Sequence, residues 1–345
     1  VRYSNGGIAI GDEDLSVPNG GFFGQQRYFS NQTSSDFDGP VGFNWFSRQM
    51  PYACASGTSV AIVFDPNSPY WFDLSGSTYV PRYGTVGVTL VDDTTAHTFT
   101  FTKTTDATME LTVFNDFGAS TAPGGFVSYT DPRGVTTAVS SRTGIQINEL
   151  QRSYSISGVT TNELLDYSYY SSGDPAGKLQ YVTFSRQVGG GSPTQLSRAA
   201  YTYYGSSDTQ GSNHDLQSAS QQIPDGSGGW NTTAVTWYRY WMTGSSTGYA
   251  HALKMRFGPE AYRLMFNASV DVTTASDSTV LPYADQYFEY NPSTRQVTKE
   301  IAAASAGGMG NGTTSDTFAY STNPNTPPTS PPDYNWWAIK TTQTL

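Results

Sequence analysis

The chain has 345 residues, a formal charge of −10, 13% charged residues and 14% aromatic ones, a length that allows one large β-domain or two ordinary domains with an ample core. Its basic residues, among them Arg27, Arg48, Arg133, Arg142, Lys178, Arg239, Lys254 and Arg256, are scattered and form no stripe that could track phosphates, which argues against a nucleic-acid partner. No apolar run approaches the roughly 18 residues a membrane-crossing helix needs, and the single cysteine, Cys54, excludes an intramolecular disulfide and a cysteine zinc site and reads as a small buried apolar side chain.

Residues 1–120 carry dense aromatics at irregular spacing (Phe22, Phe23, Tyr28, Phe29, Phe43, Trp45, Phe46, Tyr70, Trp71, Phe72), interrupted by turn signals at Asn5-Gly6-Gly7, Pro18-Asn19-Gly20-Gly21 and Asp38-Gly39-Pro40. Strict alternation at Thr98-Phe99-Thr100-Phe101-Thr102 and Met109-Glu110-Leu111-Thr112-Val113-Phe114 predicts strands with one wet face. Across residues 121–322 a loose repeat appears, in which an aromatic strand, a polar turn and a second alternating strand form a hairpin. The units are Phe126 to Val139, Leu165 to Phe184, Ala200 to Leu216, Val235 to Phe257 and Gln286 to Val297. Their corresponding aromatics are Tyr129, Tyr169, Tyr203, Tyr240 and Tyr290, spaced roughly 30 to 50 residues apart. Glu300 to Ala306 is Ala-rich and is allowed a helical turn at most. Residues 323–333 are a Pro-rich connection, and residues 334–345 read as a final strand leading to a further repeat.

A lone hairpin cannot bury its apolar face, so a run of them is stable only edge to edge. The expected fold is therefore all-β: antiparallel β-hairpin repeats in a continuous curled sheet. The sheet's edges, expected near Val1 to Ile10 and Trp336 to Leu345, would pair with further repeats or with identical subunits, and charged or proline substitutions at Ile339 and Thr341 should block that association.

The units resemble the YD repeats of bacterial Rhs proteins and of the related teneurin shells. Phe126-Val127-Ser128-Tyr129-Thr130-Asp131-Pro132-Arg133-Gly134 is the nearest match, with the unit at Tyr290-Asn291-Pro292 a looser one. The opening, from Val1 through Asn5-Gly6-Gly7 to Asp14-Leu15 and then Arg27-Tyr28-Phe29-Ser30, is similar to the segment that starts such shells. The resemblance spans about two-thirds of the chain and implies the N-terminal part of a hairpin spiral that encloses cargo or displays a surface domain. The family's self-cleaving core has no counterpart in the sequence, and Asp131-Pro132 lacks the pattern around it that would transfer a proteolytic role.

His97, His214 and His251 are far apart, and none has a base or second ligand at local spacing. Gly189-Gly190-Gly191 lacks the Lys of a phosphate loop and reads as a hairpin tip, whereas Asp12-Glu13-Asp14 and Asp92-Asp93 read as solvated turns instead of calcium ligands. No catalytic residue, metal or cofactor is expected. Trp71, Trp237, Trp241 and Trp337 are the candidate aromatic contacts for a glycan, although core packing and cross-strand pairing explain such residues as well. The sequons at Asn31, Asn231, Asn267 and Asn311 are what chance supplies in a Ser/Thr-rich chain. The expectation is thus a non-enzymatic, secreted or cell-surface scaffold, its composition suited to a bacterial exterior. The rivals are a carbohydrate-binding module or glycoside hydrolase, and an adhesin or filament subunit.

Overall fold

In a computed structural model, residues 1–2, 5–33, 36–82, 85–105, 108–303, 308–322 and 339–344 are described. The fold is all-β, dominated by one antiparallel sheet of 20 strands. It runs in chain order from Tyr52–Ser56 to Ile339–Thr344, each strand paired with the next. Among the described residues no ladder joins the first of these strands to the last. The alternating stretches form strands Thr98–Thr105 and Thr108–Asn115, with Phe99, Phe101 and Phe114 buried on a shared face. All five hairpin units of the sequence are antiparallel pairs of this sheet.

The change in architecture falls at Pro51 and Tyr52. Before it lies a separate three-stranded sheet, Ile10–Leu15, Gln25–Phe29 and Trp45–Ser47, with a short hairpin at Asp38–Gly39 and Gly42–Phe43; after it, the long sheet passes through residue 120 without interruption. The N-terminal segment packs on one face of the long sheet. Phe22 stacks on Tyr129 at 4.6 Å, Phe23 meets Phe184 edge-on at 6.3 Å, and Asn31 Nδ2 donates to the Arg295 carbonyl at 2.7 Å. Laid flat, the strands from Phe126–Thr130 to Val297–Ala303 would span about 48 Å at the usual inter-strand spacing, too wide for one small segment to touch both ends. The sheet therefore curls around it. Leu15, Phe22, Phe23, Phe29, Val41 and Trp45 share one core with Phe126, Leu165, Phe184, Leu216 and Tyr240.

Three expectations are corrected. Val1 to Ile10 is no edge of the wall: Arg2 bridges Gly7, Ile10 pairs with Phe29, and the Gly6 carbonyl accepts the Val297 N–H at 2.9 Å. The sheet's first strand is Tyr52–Ser56 instead, and its outer side is partly covered where Ala53 N–H donates to the Gly124 carbonyl at 2.8 Å. The Ala-rich stretch is not helical up to Ala303. It forms strand Val297–Ala303, since Ile301 finds Tyr287 on one side and Ser315 on the other, and ladder pairing on both edges outweighs the helix propensity of three alanines; residues 304–307 lie outside the described residues. Helix Pro259–Asn267 was not expected. Its signals are present in the sequence: Pro259 at the first turn, Glu260 beside the positive end of the dipole, and Ala261 and Met265 one turn apart on the buried face.

Candidate functional site

The repeats are joined by a recurring clasp. Strands Val159–Tyr169, Thr194–Tyr203, Trp230–Tyr240 and Gln286–Tyr290 each end in a tyrosine preceded by a register shift, and these tyrosines pair with Leu179, Leu216, Leu253 and Val297, which open or lie at the start of the following strand. Such an irregularity releases a carbonyl from the ladder, and a buried carbonyl needs a donor. The hydroxyl supplies it. Tyr169 donates to Ile147 O at 2.8 Å, Tyr203 to Leu179 O at 2.8 Å, Tyr240 to Leu216 O at 2.9 Å and Tyr290 to Leu253 O at 2.7 Å. Tyr320 repeats the bond to Val297 O at 2.8 Å. The next residue often reaches the other way: Tyr170 donates to Tyr201 O, Tyr204 to Tyr238 O and Trp241 Nε1 to Phe288 O, each acceptor lying two residues before the clasp tyrosine of the following unit. Tyr129 has no such place. It pairs with Thr137 and stacks on Phe22, so it is not equivalent to the other four.

Polar residues fasten the N-terminal segment to the sheet. Arg27 is fully buried, lies 4.6 Å over the Trp45 ring, forks onto Asp14 with Nε and Nη2 (2.8 Å to Oδ1), and donates from Nη2 to Tyr238 Oη at 3.0 Å. Tyr201 donates to Asp14 at 2.8 Å, Tyr238 donates to Asp12 at 2.7 Å, and Arg256 reaches Asp12 at 2.5 Å. Asp12 and Asp14 are thus the anionic half of an interior network, not the solvated turn expected from the sequence. Burial raises the Asp14 carboxyl above its ordinary value despite Arg27, whereas at Asp12 the two arginines outweigh burial and lower it. A second anchor is Glu163, buried between Arg152 (2.6 Å) and Arg186 (2.8 Å), with Arg152 Nη1 donating to the carbonyls of Asn19 and Gly20.

The histidines do not converge on one site. His97 faces Asp116 at 3.2 Å, His214 faces Asp38 at 2.8 Å and His251 faces Asp215 at 2.9 Å. His251 also stacks on Phe43 at 3.6 Å, so it and His214 dock the Asp38–Phe43 hairpin. Asp131 accepts the backbone N–H groups of Arg133 and Val135, both at 2.9 Å, and serves as a turn cap.

Of the glycan candidates, Trp71 lies under the Arg82 guanidinium at 4.8 Å. Trp237 is buried beneath the helix Pro259–Asn267, its ring parallel to Tyr262 at 6.0 Å. Trp241 carries the Lys254 ammonium at 4.1 Å over its face. Trp337 lies outside the described residues. The sequon residue Asn31 is fully buried, with Oδ1 accepting Ile8 N–H at 2.7 Å, which closes it to modification in the folded chain.

Two features were not legible in the sequence. Glu149 and Asp166 face each other across neighbouring strands, and burial, then the Glu149 charge, pushes the Asp166 carboxyl up to about 6. Ser140 donates to Glu149 at 2.5 Å. The two residues are direct neighbours across one antiparallel ladder, whereas a catalytic pair flanks a glycosidic bond with roughly 5 Å or more between its carboxyl groups. The other feature is a largely apolar cavity of about 500 Å³ between the N-terminal segment and the sheet. Phe46, Phe37 and Tyr52 form one wall as a stack, with centroids 4.5 Å and then 6.2 Å apart. Met50, Phe64, Phe126, Ile147 and Tyr169 continue the lining, and Arg142, Lys178 and His214 bring the basic groups to it.

No family model and no curated protein matches the sequence.

Proposed function

We propose that this chain is a non-enzymatic structural segment, a wall of the YD-repeat shell type that serves a secreted or cell-surface assembly. The observation carrying this reading is the clasp: four successive units use the same tyrosine position to bind the strand behind, and three of them use the next aromatic to bind the unit ahead. Repetition of that kind spends buried aromatics on holding neighbours in register. Curvature supports the same reading, since a sheet wrapped on its own N-terminal segment presents a closed inner face and a long outer one. In a shell, such a segment would be continued by further repeats; in a filament or adhesin, by identical subunits.

The test is to screen the purified chain against polysaccharide and peptide hydrolysis panels and a glycan array, alongside limited proteolysis. A scaffold gives no turnover, no glycan retention, and resistance to protease from residue 126 to 303. Turnover that disappears in Glu149→Gln or Asp166→Asn, or glycan retention lost in Trp71→Ala, would overturn the reading.

A further inference from the structure

Among the described residues, Arg142 in the wall of the 500 Å³ cavity has no carboxylate partner. Arg142 Nη2 donates to the Phe126 carbonyl, and Nη1 lies so near Gly125 that a Cβ added there would sit 2.8 Å from it. Gly125 and Phe126 both line the cavity, which places the guanidinium at its surface. Burial lowers the Arg142 pKa, and the group acting against that is the Tyr169 phenol, not a carboxylate. The other basic groups of the wall are answered: Lys178 and His214 both pair with Asp38. A guanidinium has five donors in a planar fork, and on the half-buried Arg142 only the bond to the Phe126 carbonyl is made among the described residues, which leaves donors for an anion.

We infer that this cavity is a binding site for a small amphipathic carboxylate, its apolar body seated against Phe37, Phe46, Tyr52 and Met50 and its carboxylate on the Arg142 guanidinium. The size lies within the range of small-ligand pockets, and a mostly apolar lining with a few convergent polar groups is their usual construction. The carboxylate gains a charge-assisted bond that a neutral alcohol of the same length does not, while the chain is bound equally by both. Tyr169 and Ile147 of the clasp also line this cavity, but the inference does not depend on the structural role proposed for the clasp.

The experiment is calorimetric titration of the whole chain with decanoate and with decanol, each below its aggregation limit. Decanoate should bind saturably and at least about tenfold more tightly than decanol, the difference a single charge-assisted bond supplies. Arg142→Met should remove that preference while leaving decanol affinity in place, and Arg142→Lys should keep part of it. Met50→Trp, which adds bulk to the apolar lining, should weaken both ligands. Equal affinity for decanoate and decanol, no saturable binding of either, a preference that survives Arg142→Met, or binding indifferent to Met50→Trp would each overturn the inference. The wild-type comparison and Met50→Trp keep the test decisive even if Arg142→Met fails to fold.

Discussion

Replacing Tyr240 by Phe removes a single oxygen from a clasp with two buried partners. That hydroxyl donates to Leu216 O at 2.9 Å and accepts the Trp45 indole N–H at 2.8 Å, joining the repeat sheet to the N-terminal segment through one atom. The ring stays and no cavity opens, so the cost comes from two buried partners left unsatisfied, each worth about 1 to 3 kcal/mol. The expected loss is about 2 to 6 kcal/mol. Tyr290→Phe strands only the Leu253 carbonyl and should lose about half as much. As a reference, the Tyr28 hydroxyl makes a long 3.4 Å contact with Gln26, and Tyr28→Phe should stay within about 0.5 kcal/mol. Urea unfolding followed by tryptophan fluorescence measures all three, with unchanged slopes showing that the folded and unfolded states remain comparable. A cycle with Trp45→Phe should return a coupling energy of at least about 0.5 kcal/mol. Equal midpoints for the Tyr240, Tyr290 and Tyr28 variants, or no coupling to Trp45, would refute the clasp as a source of stability.

Arg27→Met leaves Asp14 buried without its cation and should cost about 3 to 5 kcal/mol, much of it recovered when Asp14→Leu is added, as a thermal-melt comparison of single and double variants would show. The Asp166 carboxyl, raised to about 6 when folded against about 3.9 when unfolded, holds its proton more tightly in the native state; the pair should therefore lose stability as pH rises from about 4 to 6, with the penalty complete above that window. Because both side chains are only partly buried the effect should be about 1 kcal/mol, and Asp166→Asn should flatten the melting temperature across that range; an unchanged profile would refute the raised Asp166 carboxyl. Arg239 Nη2 donates to the carbonyls of Val272 (2.6 Å) and Ala275 (2.7 Å), so Arg239→Met should speed hydrogen exchange in residues 258–285 while leaving strands Leu179–Val188 and Thr194–Tyr203 protected. Asp131→Ala removes a turn cap, and electrophoresis should show an intact chain with stability lowered by about 1 kcal/mol; loss of a self-cleavage product in that variant would contradict the assignment.

Alternation of side chains is a local property of an extended backbone, and for that reason the sequence by itself determined the all-β class, the hairpin units and their aromatic positions at Tyr169, Tyr203, Tyr240 and Tyr290. More was legible than the hairpins alone. Tyr167-Ser168-Tyr169-Tyr170, Tyr201-Thr202-Tyr203-Tyr204 and Tyr238-Arg239-Tyr240-Trp241 share a pattern whose third and fourth residues are the two donors of the clasp. The acceptors were hidden, because a carbonyl freed by a register shift carries no residue-type signature. Tertiary structure alone decided that residues 5–33 and 36–51 fill the curl of the sheet, that Asp12 and Asp14 turn inward, and that Arg142 meets the Phe126 carbonyl at a cavity wall. Each depends on which residues meet across more than a hundred positions of chain, as Arg27 and Tyr238 do at a separation of 211. Such meetings are set by how the whole sheet closes on its contents, and no local period records them.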